Sequence, residues 1–158
     1  MGTIEDQLGT LAQLAGRWEG RGEGHYPTIS AFTYQETLTF EHLGKPFLVY
    51  TQRTRDPGTG AGLHVESGYL RPGEGGRAEL LVVQPTGYVE IHEGPLDAAG
   101  WLRLTMTSLA RSTTAKEVAE VRREIEWSGG WLRYDLWMAH ADVPLTHHLH
   151  AELRRVDD

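Results

Sequence analysis

Residues 32–41 read FTYQETLTFE. Phe32, Tyr34, Glu36, Leu38 and Phe40 alternate with Thr33, Gln35, Thr37 and Thr39, a period of two that separates into two faces only along an extended strand. Outward from this stretch the period recurs in PFLVYTQRTR (46–55), GLHVESGYLR (62–71), AELLVVQ (78–84), GYVEIHEG (87–94), WLRLTMTSLA (101–110), EVRREIEW (120–127), WLRYDLWMA (131–139) and THHLHAELRR (146–155). RWEGRGEG (17–24) precedes them all, and HLGK, DPGTGAG, RPGEGG, PTG, GPLDAAG and SGG punctuate the series with turn-forming residues. No helical period lies between the strands. That excludes βαβ units and leaves an antiparallel meander of nine or ten strands. Closing the meander on itself removes its free edges, so an up-and-down barrel is favoured over a sandwich. A barrel of about ten strands is too wide for side chains to fill, and so encloses a cavity. Glycines at 16, 20, 22 and 24 suit a first strand that bends sharply where other backbone passes close. Ahead of the barrel, Ile4, Leu8, Leu11 and Leu14 share one helical face, Thr3 and Asp6 form a capping-box pattern, and Gly16 is a natural stop. The expectation is one all-β domain over 1–158, with a short helix over about 3–15 and a roughly ten-stranded antiparallel barrel over about 17–156.

Composition narrows the function. The 158 residues fit one domain, and 39% apolar with 23% charged residues describes a globular chain. A net charge of −7 without any block of Lys and Arg argues against nucleic-acid binding, which runs on neutralising phosphates. The absence of cysteine excludes disulfides, Cys-type zinc sites, iron–sulfur clusters and thioether-linked haem. The N-terminus carries acids where a signal peptide needs bases, and no run approaches the roughly eighteen apolar residues of a membrane span. A cytoplasmic protein without membrane partners is expected.

Chemistry has few places to reside. No G-x-S-x-G motif is present, and Ser67, Ser108 and Ser112 lack a neighbouring histidine pattern. GRGEG precedes a strand rather than a helix, so it is no dinucleotide fingerprint. The informative stretch is PLTHHLHAELRR (144–155). By alternation His148, His150 and Glu152 share one face, a ladder that could hold zinc with His64 or His140 as a further ligand. These rings could equally lie on an exposed wall, as His147 and His150 are expected to. In a third reading one of them ligates a haem iron inside an apolar slot. Leu149, Ala151 and Leu153 make the obvious apolar face of this strand. An inward His148 therefore requires either a lumen that accepts the polar face near its mouth or a bulge that changes the register.

Several blocks together carry a family resemblance. GRWEGRGEGHYPT (16–28), with Gly16, Trp18, Gly20 and Gly22, resembles the G-x-W-x-G-x-G signature of the nitrobindins, followed by their Tyr-Pro-Thr. HVESGYLR (64–71), QPTGYVEIHEG (84–94), ARSTTAKEV (110–118) and PLTHHLHAELRRV (144–156) resemble further blocks of that family in the same order. The resemblance implies a ten-stranded barrel akin to fatty-acid-binding proteins, a calycin-type fold. It implies one noncovalent haem b per chain in a wide cleft at the barrel mouth. His148 in HLHAEL matches the axial ligand, Thr28 the haem-contacting threonine, and Leu63, His64, Gln84 and Met138 the pocket lining. Lys116 falls in the block expected to meet a propionate, and Trp18 is expected to pack the barrel bottom rather than touch haem. The implied activity is isomerisation of peroxynitrite to nitrate at ferric haem, with nitric oxide binding in the ferrous form. A sixth ligand from His64, His140, His147 or His150 stays open, as does a homodimer. The rival readings are a carrier of fatty-acid-like lipophiles without turnover, and a haem or nitric-oxide sensor.

Overall fold

The structure is a computed structural model and describes residues 2–157; Met1 and Asp158, the two ends of the expected 1–158 domain, lie outside the described residues. A helix α1 (Ile4–Leu8) runs into a 3-10 turn (Gly9–Leu14), followed by β1 (Gly16–Tyr26), β2 (Ile29–His42), β3 (Leu48–Arg55), β4 (Gly62–Pro72) and β5 (Arg77–Gln84). Then come β6 (Tyr88–Asp97), β7 (Trp101–Arg111), β8 (Glu120–Ser128), β9 (Trp131–His140) and β10 (Val143–Val156). Each strand pairs antiparallel with its sequence neighbours, and β10 returns to β1, which closes a ten-stranded barrel. The architecture is the one read from the alternation.

Two elements differ from expectation. The helix expected over 3–15 is broken at Gly9, whose φ of 58° no longer continues an α-helix, so only its first turns are α and the rest is 3-10. The capping box does form: Asp6 N–H donates to Thr3 Oγ1 at 3.1 Å, and Thr3 N–H to Asp6 Oδ2 at 2.9 Å. Further on, β6 extends to Asp97, so Pro95 to Asp97, expected as turn, pair with β5 and β7 instead.

The broken helix plugs one end of the barrel. Leu8, Leu11 and Leu14 are buried and pack with Trp18, Phe40, Leu48, Leu70, Leu102, Trp127, Leu132 and Leu153 from the strands. Each fully buried side chain of this kind contributes on the order of 1.5–3 kcal/mol. Trp18 Nε1 donates to the Leu14 carbonyl at 2.9 Å and Trp127 Nε1 to Gln13 Oε1 at 3.1 Å, so both indoles bury without an orphaned donor. Arg155 lies over the Trp18 ring at 4.3 Å and donates to the Ala15 and Gln13 carbonyls, which seals the plug from outside. The signature tryptophan is thus part of the closed end.

The glycines of β1 make room. A Cβ on Gly20 would stand 2.0 Å from the Glu152 carbonyl oxygen of β10, and one on Gly22 would stand 2.2 Å from the Tyr34 ring. Only glycine lets β10 approach here and lets Tyr34 fold inward over β1.

Candidate functional site

Beyond the plug the barrel interior opens into a cavity of about 480 Å³, within the roughly 300–1,000 Å³ usual for small-molecule sites. Its apolar wall includes Phe32, Leu63, Leu109, Val118, Met138 and Leu149. Phe32 and Leu63 are 37% and 51% exposed, so the wall opens to solvent on that side.

The floor is polar. Glu36 is 0% exposed; its carboxyl group is met by Tyr134 Oη–H at 2.5 Å and Gln52 Nε2–H at 2.8 Å, and the Tyr34 and Tyr134 hydroxyls lie 2.7 Å apart. Burial pushes the Glu36 pKa up to about 7 against the pull of those two hydrogen bonds. Beside it Arg123 holds Glu66 with two bonds of 2.8 and 3.1 Å, and Tyr50 donates to the same carboxylate at 2.9 Å. Burial alone would raise the Glu66 pKa; the Arg123 guanidinium outweighs it and holds the group below the usual carboxylate range. Gln84 donates to Glu90, whose other oxygen lies 3.3 Å from His92 Nε2. Burial lowers the pKa of His92, which keeps it neutral. Three buried acids, Glu36, Glu66 and Glu90, therefore face one guanidinium that is already engaged. Such a floor disfavours an anion.

At the mouth, β10 breaks its alternation. His147 pairs with Trp137 and Leu149 with Leu136, so His148 is an extra residue in the ladder. A bulge of this kind re-aims a side chain, and His148 and Leu149 both line the cavity. Of the two routes to an inward His148, this chain uses the bulge. The expected ladder of His148, His150 and Glu152 on one face does not form, because His150 stays on the outer wall and bonds Asp135 at 2.8 Å. Among the described residues no group of three or more His, Cys, Asp or Glu side chains is arranged to hold a metal ion.

The His148 ring is held on three sides. Its Nδ1 lies 3.0 Å from the His25 carbonyl, which can only accept, so Nδ1 carries the proton. Tyr26 and Phe32 meet the ring edge-on, with centroids at 5.2 and 6.5 Å. Burial lowers its pKa, although the bond to His25 works the other way. The result is a neutral imidazole whose Nε2 carries the lone pair. That is the state a metal-ligating histidine needs, with the second nitrogen tied to a carbonyl as such ligands usually are.

The structure brings Leu63, His64, Gln84, Met138 and His148 together around this one cavity. Gln84 meets the expectation only in part, since its amide N–H is committed to Glu90. Thr28 stands exposed in the turn between β1 and β2, outside the lining. Lys116 is exposed in the segment between β7 and β8, where its main-chain carbonyl accepts the hydroxyl of Tyr88, a lining residue. Sequence reasoning passed over His25, Glu66, Arg123 and Asp135. Two of these had a signal: Glu66 and Arg123 occupy inward positions in GLHVESGYLR and EVRREIEW, where charged residues are out of place. No helix among the described residues is long and apolar enough to cross a membrane.

Fold and site together define a ligand-binding β-barrel of calycin type that presents the neutral imidazole of His148 to a deep, largely apolar cavity. The chain belongs to the family described as THAP4-like, heme-binding beta-barrel domain, whose model matches residues 7–155. This is the nitrobindin family that its sequence blocks resemble. It is 54% identical over 145 residues to the protein named peroxynitrite isomerase 1 of Rhodococcus jostii (strain RHA1), covering 92% of this chain and 82% of that one. It is 45% identical over 155 residues to the peroxynitrite isomerase of Nocardia farcinica (strain IFM 10152), covering 96% and 92%. The crystal structure of Rv2717c from M. tuberculosis matches with a TM-score of 0.89 and 39% identity, covering 99% of each chain.

Proposed function

We propose that this chain binds one haem b noncovalently through His148 Nε2, isomerises peroxynitrite to nitrate with the iron ferric, and binds nitric oxide with the iron ferrous. The observation that carries the reading is the bulged His148, turned into the cavity with its Nδ1 proton given to the His25 carbonyl. The residues present fit the group: an apolar slot, one neutral imidazole, and no cysteine to compete for iron. Bound there, ferric haem would supply a Lewis-acidic iron able to take up an anion.

The chain does the rest. Phe32, Leu63 and Met138 supply an apolar wall against which the porphyrin would pack, open to solvent on the side where an anion enters. His64, on the same cavity wall, is the side chain available to donate a hydrogen bond to a bound oxyanion. The acidic floor keeps anions at the mouth, and the exposed Lys116 offers a propionate its countercharge there. The rearrangement of peroxynitrite to nitrate consumes no net proton or electron, so the site needs neither a reductant nor a general acid of matched pKa. Names of relatives at 54% and 45% identity support the same reaction.

The apolar cavity also suits a lipophile carrier, but its floor works against a fatty acid: Arg123, the cation a carboxylate would seek, is held by Glu66. Titration of the protein with hemin distinguishes the readings. A sharp Soret band that His148→Leu abolishes is expected, together with stopped-flow peroxynitrite decay faster than buffer in the wild type alone. Hemin spectra unchanged by the mutation would overturn the axial assignment, and decay equal to buffer would overturn the isomerase.

A further inference from the structure

His148 depends on more than its own strand. Its Nδ1–H donates to the carbonyl of His25, and His25 is where β1 loses register with β2, between Gly24 and Tyr26. A bulged residue is released from the regular ladder, so the direction of its carbonyl has to be fixed by something else. The His25 side chain provides that anchor. Its Nε2 lies 3.2 Å from His147 Nδ1, with the ring centroids 5.0 Å apart. His147 in turn places Nε2 2.8 Å from Asp135 Oδ1 and meets Trp137 edge-on at 5.3 Å. His150 Nδ1 reaches the same Asp135 oxygen at 2.8 Å from the other side, and Arg133 lies 3.5 Å from Oδ2.

Proton positions follow from these partners. Burial works against an ionised Asp135, but the hydrogen bonds from His147 and His150 outweigh it and hold its pKa below the usual range. An ionised carboxylate only accepts. His147 therefore donates from Nε2, and its Nδ1 faces His25 Nε2 across 3.2 Å. These contacts form one continuous chain on the outer wall, from the ring of His25 through His147 to Asp135. On the inner side the His25 backbone carbonyl takes the His148 proton.

We propose that Asp135, acting through His147 and His25, is a positioning residue for the axial imidazole: it locks the bulge carbonyl that receives the His148 Nδ1 proton, and so fixes the ring's rotation and its donor strength toward iron. This rests on His148 being the axial ligand. Partners at this remove orient metal-bound histidines and raise their basicity, and their loss typically costs about 10–100-fold in affinity or activity. His150 shares the Asp135 oxygen but lies off the path to His25, so it is the internal control.

The test uses the full-length protein loaded with hemin. Asp135→Asn removes the carboxylate charge that ends the chain and His147→Phe cuts it, while the phenyl ring keeps the contacts with Trp137 and His25. Both variants are expected to take up hemin and to release it to excess apomyoglobin about ten-fold faster than wild type, at the low end of that range. The iron–histidine stretching band of their ferrous forms, read by resonance Raman, moves to lower frequency. His150→Gln moves neither quantity. Should Asp135→Asn fail to fold, His147→Phe carries the test alone. Wild-type band and release rate in a folded His147→Phe would overturn the proposal, as would a band in His150→Gln shifted as far as in Asp135→Asn. A hemin spectrum insensitive to His148→Leu would instead overturn the axial assignment beneath it.

Discussion

The two ends of this barrel obey different rules. At the closed end Trp18, Phe40, Leu48, Leu70, Leu102, Trp127, Leu132 and Leu153 face inward in unbroken alternation, and none is more than 1% exposed. At the open end the ladders slip: between Gly24 and Tyr26, between Thr54 and Arg55, between Val143 and Thr146, and between His147 and Leu149. A pleat that packs a core delivers apolar groups of one parity. In β10 the inward parity is already held by Leu149, Ala151 and Leu153, so His148 reaches the same face only because the strand gains a residue, and the mouth is where that irregularity is tolerated. Stability therefore belongs to the regular end and chemistry to the irregular one.

That division can be broken by experiment. The largest effect is expected from Trp18→Ala, which removes a fully buried indole at the closed end. It should cost about 3–5 kcal/mol in urea unfolding while the folded variant keeps its hemin spectrum; loss of the spectrum with unchanged stability would erase the distinction. Next is Glu36→Gln, at the boundary between the two ends. Glu36 is held near pKa 7 in the fold against an ordinary 4.5, so it keeps its proton through the pH range in which an exposed glutamate loses it. The stability tied to that proton is complete below the unfolded pKa and is lost as pH rises through the folded value. The neutral glutamine escapes the loss. Thermal melts should show the variant gaining on wild type between pH 5 and 8, by up to about 3 kcal/mol, and a constant offset across that window would show that Glu36 is ionised throughout. The smallest effect is expected from Leu63→Ala at the rim, within about 0.5 kcal/mol of wild type, although hemin release should quicken as the apolar wall thins. A larger loss would mean that the rim, too, belongs to the packed core.

The same division explains how much was legible in the sequence. Strands and core faces were readable wherever alternation is local and unbroken, so the barrel follows from the pattern, while the packing role of Trp18 was read from its place in the family signature. Glu36 also stood in plain view, on the apolar face of FTYQETLTFE. The break at Gly9 and the extension of β6 to Asp97 were not readable, because contacts between distant segments override local turn signals there. The His148 bulge was readable only as a conflict. Alternation aimed the leucines inward while the family pattern required the histidine, and pairing with β9, set by residues 136 and 137, settles which way it goes. Asp135 gave no sign at all. It reads as an ordinary outward polar residue until β9 and β10 are laid side by side.

One further consequence lies in the seam where the barrel closes. His25 belongs to the first strand and His148 to the last, and the two meet only when β10 zips onto β1. Ribosomal synthesis delivers these strands in order, so the hairpins from β1 to β9 can form while the His25 carbonyl still waits for the His148 ring. On the proposed reading, in which His148 holds the iron, capture of the metal would wait for this closure, and a chain stalled before β10 (Val143–Val156) would lack the imidazole that holds it.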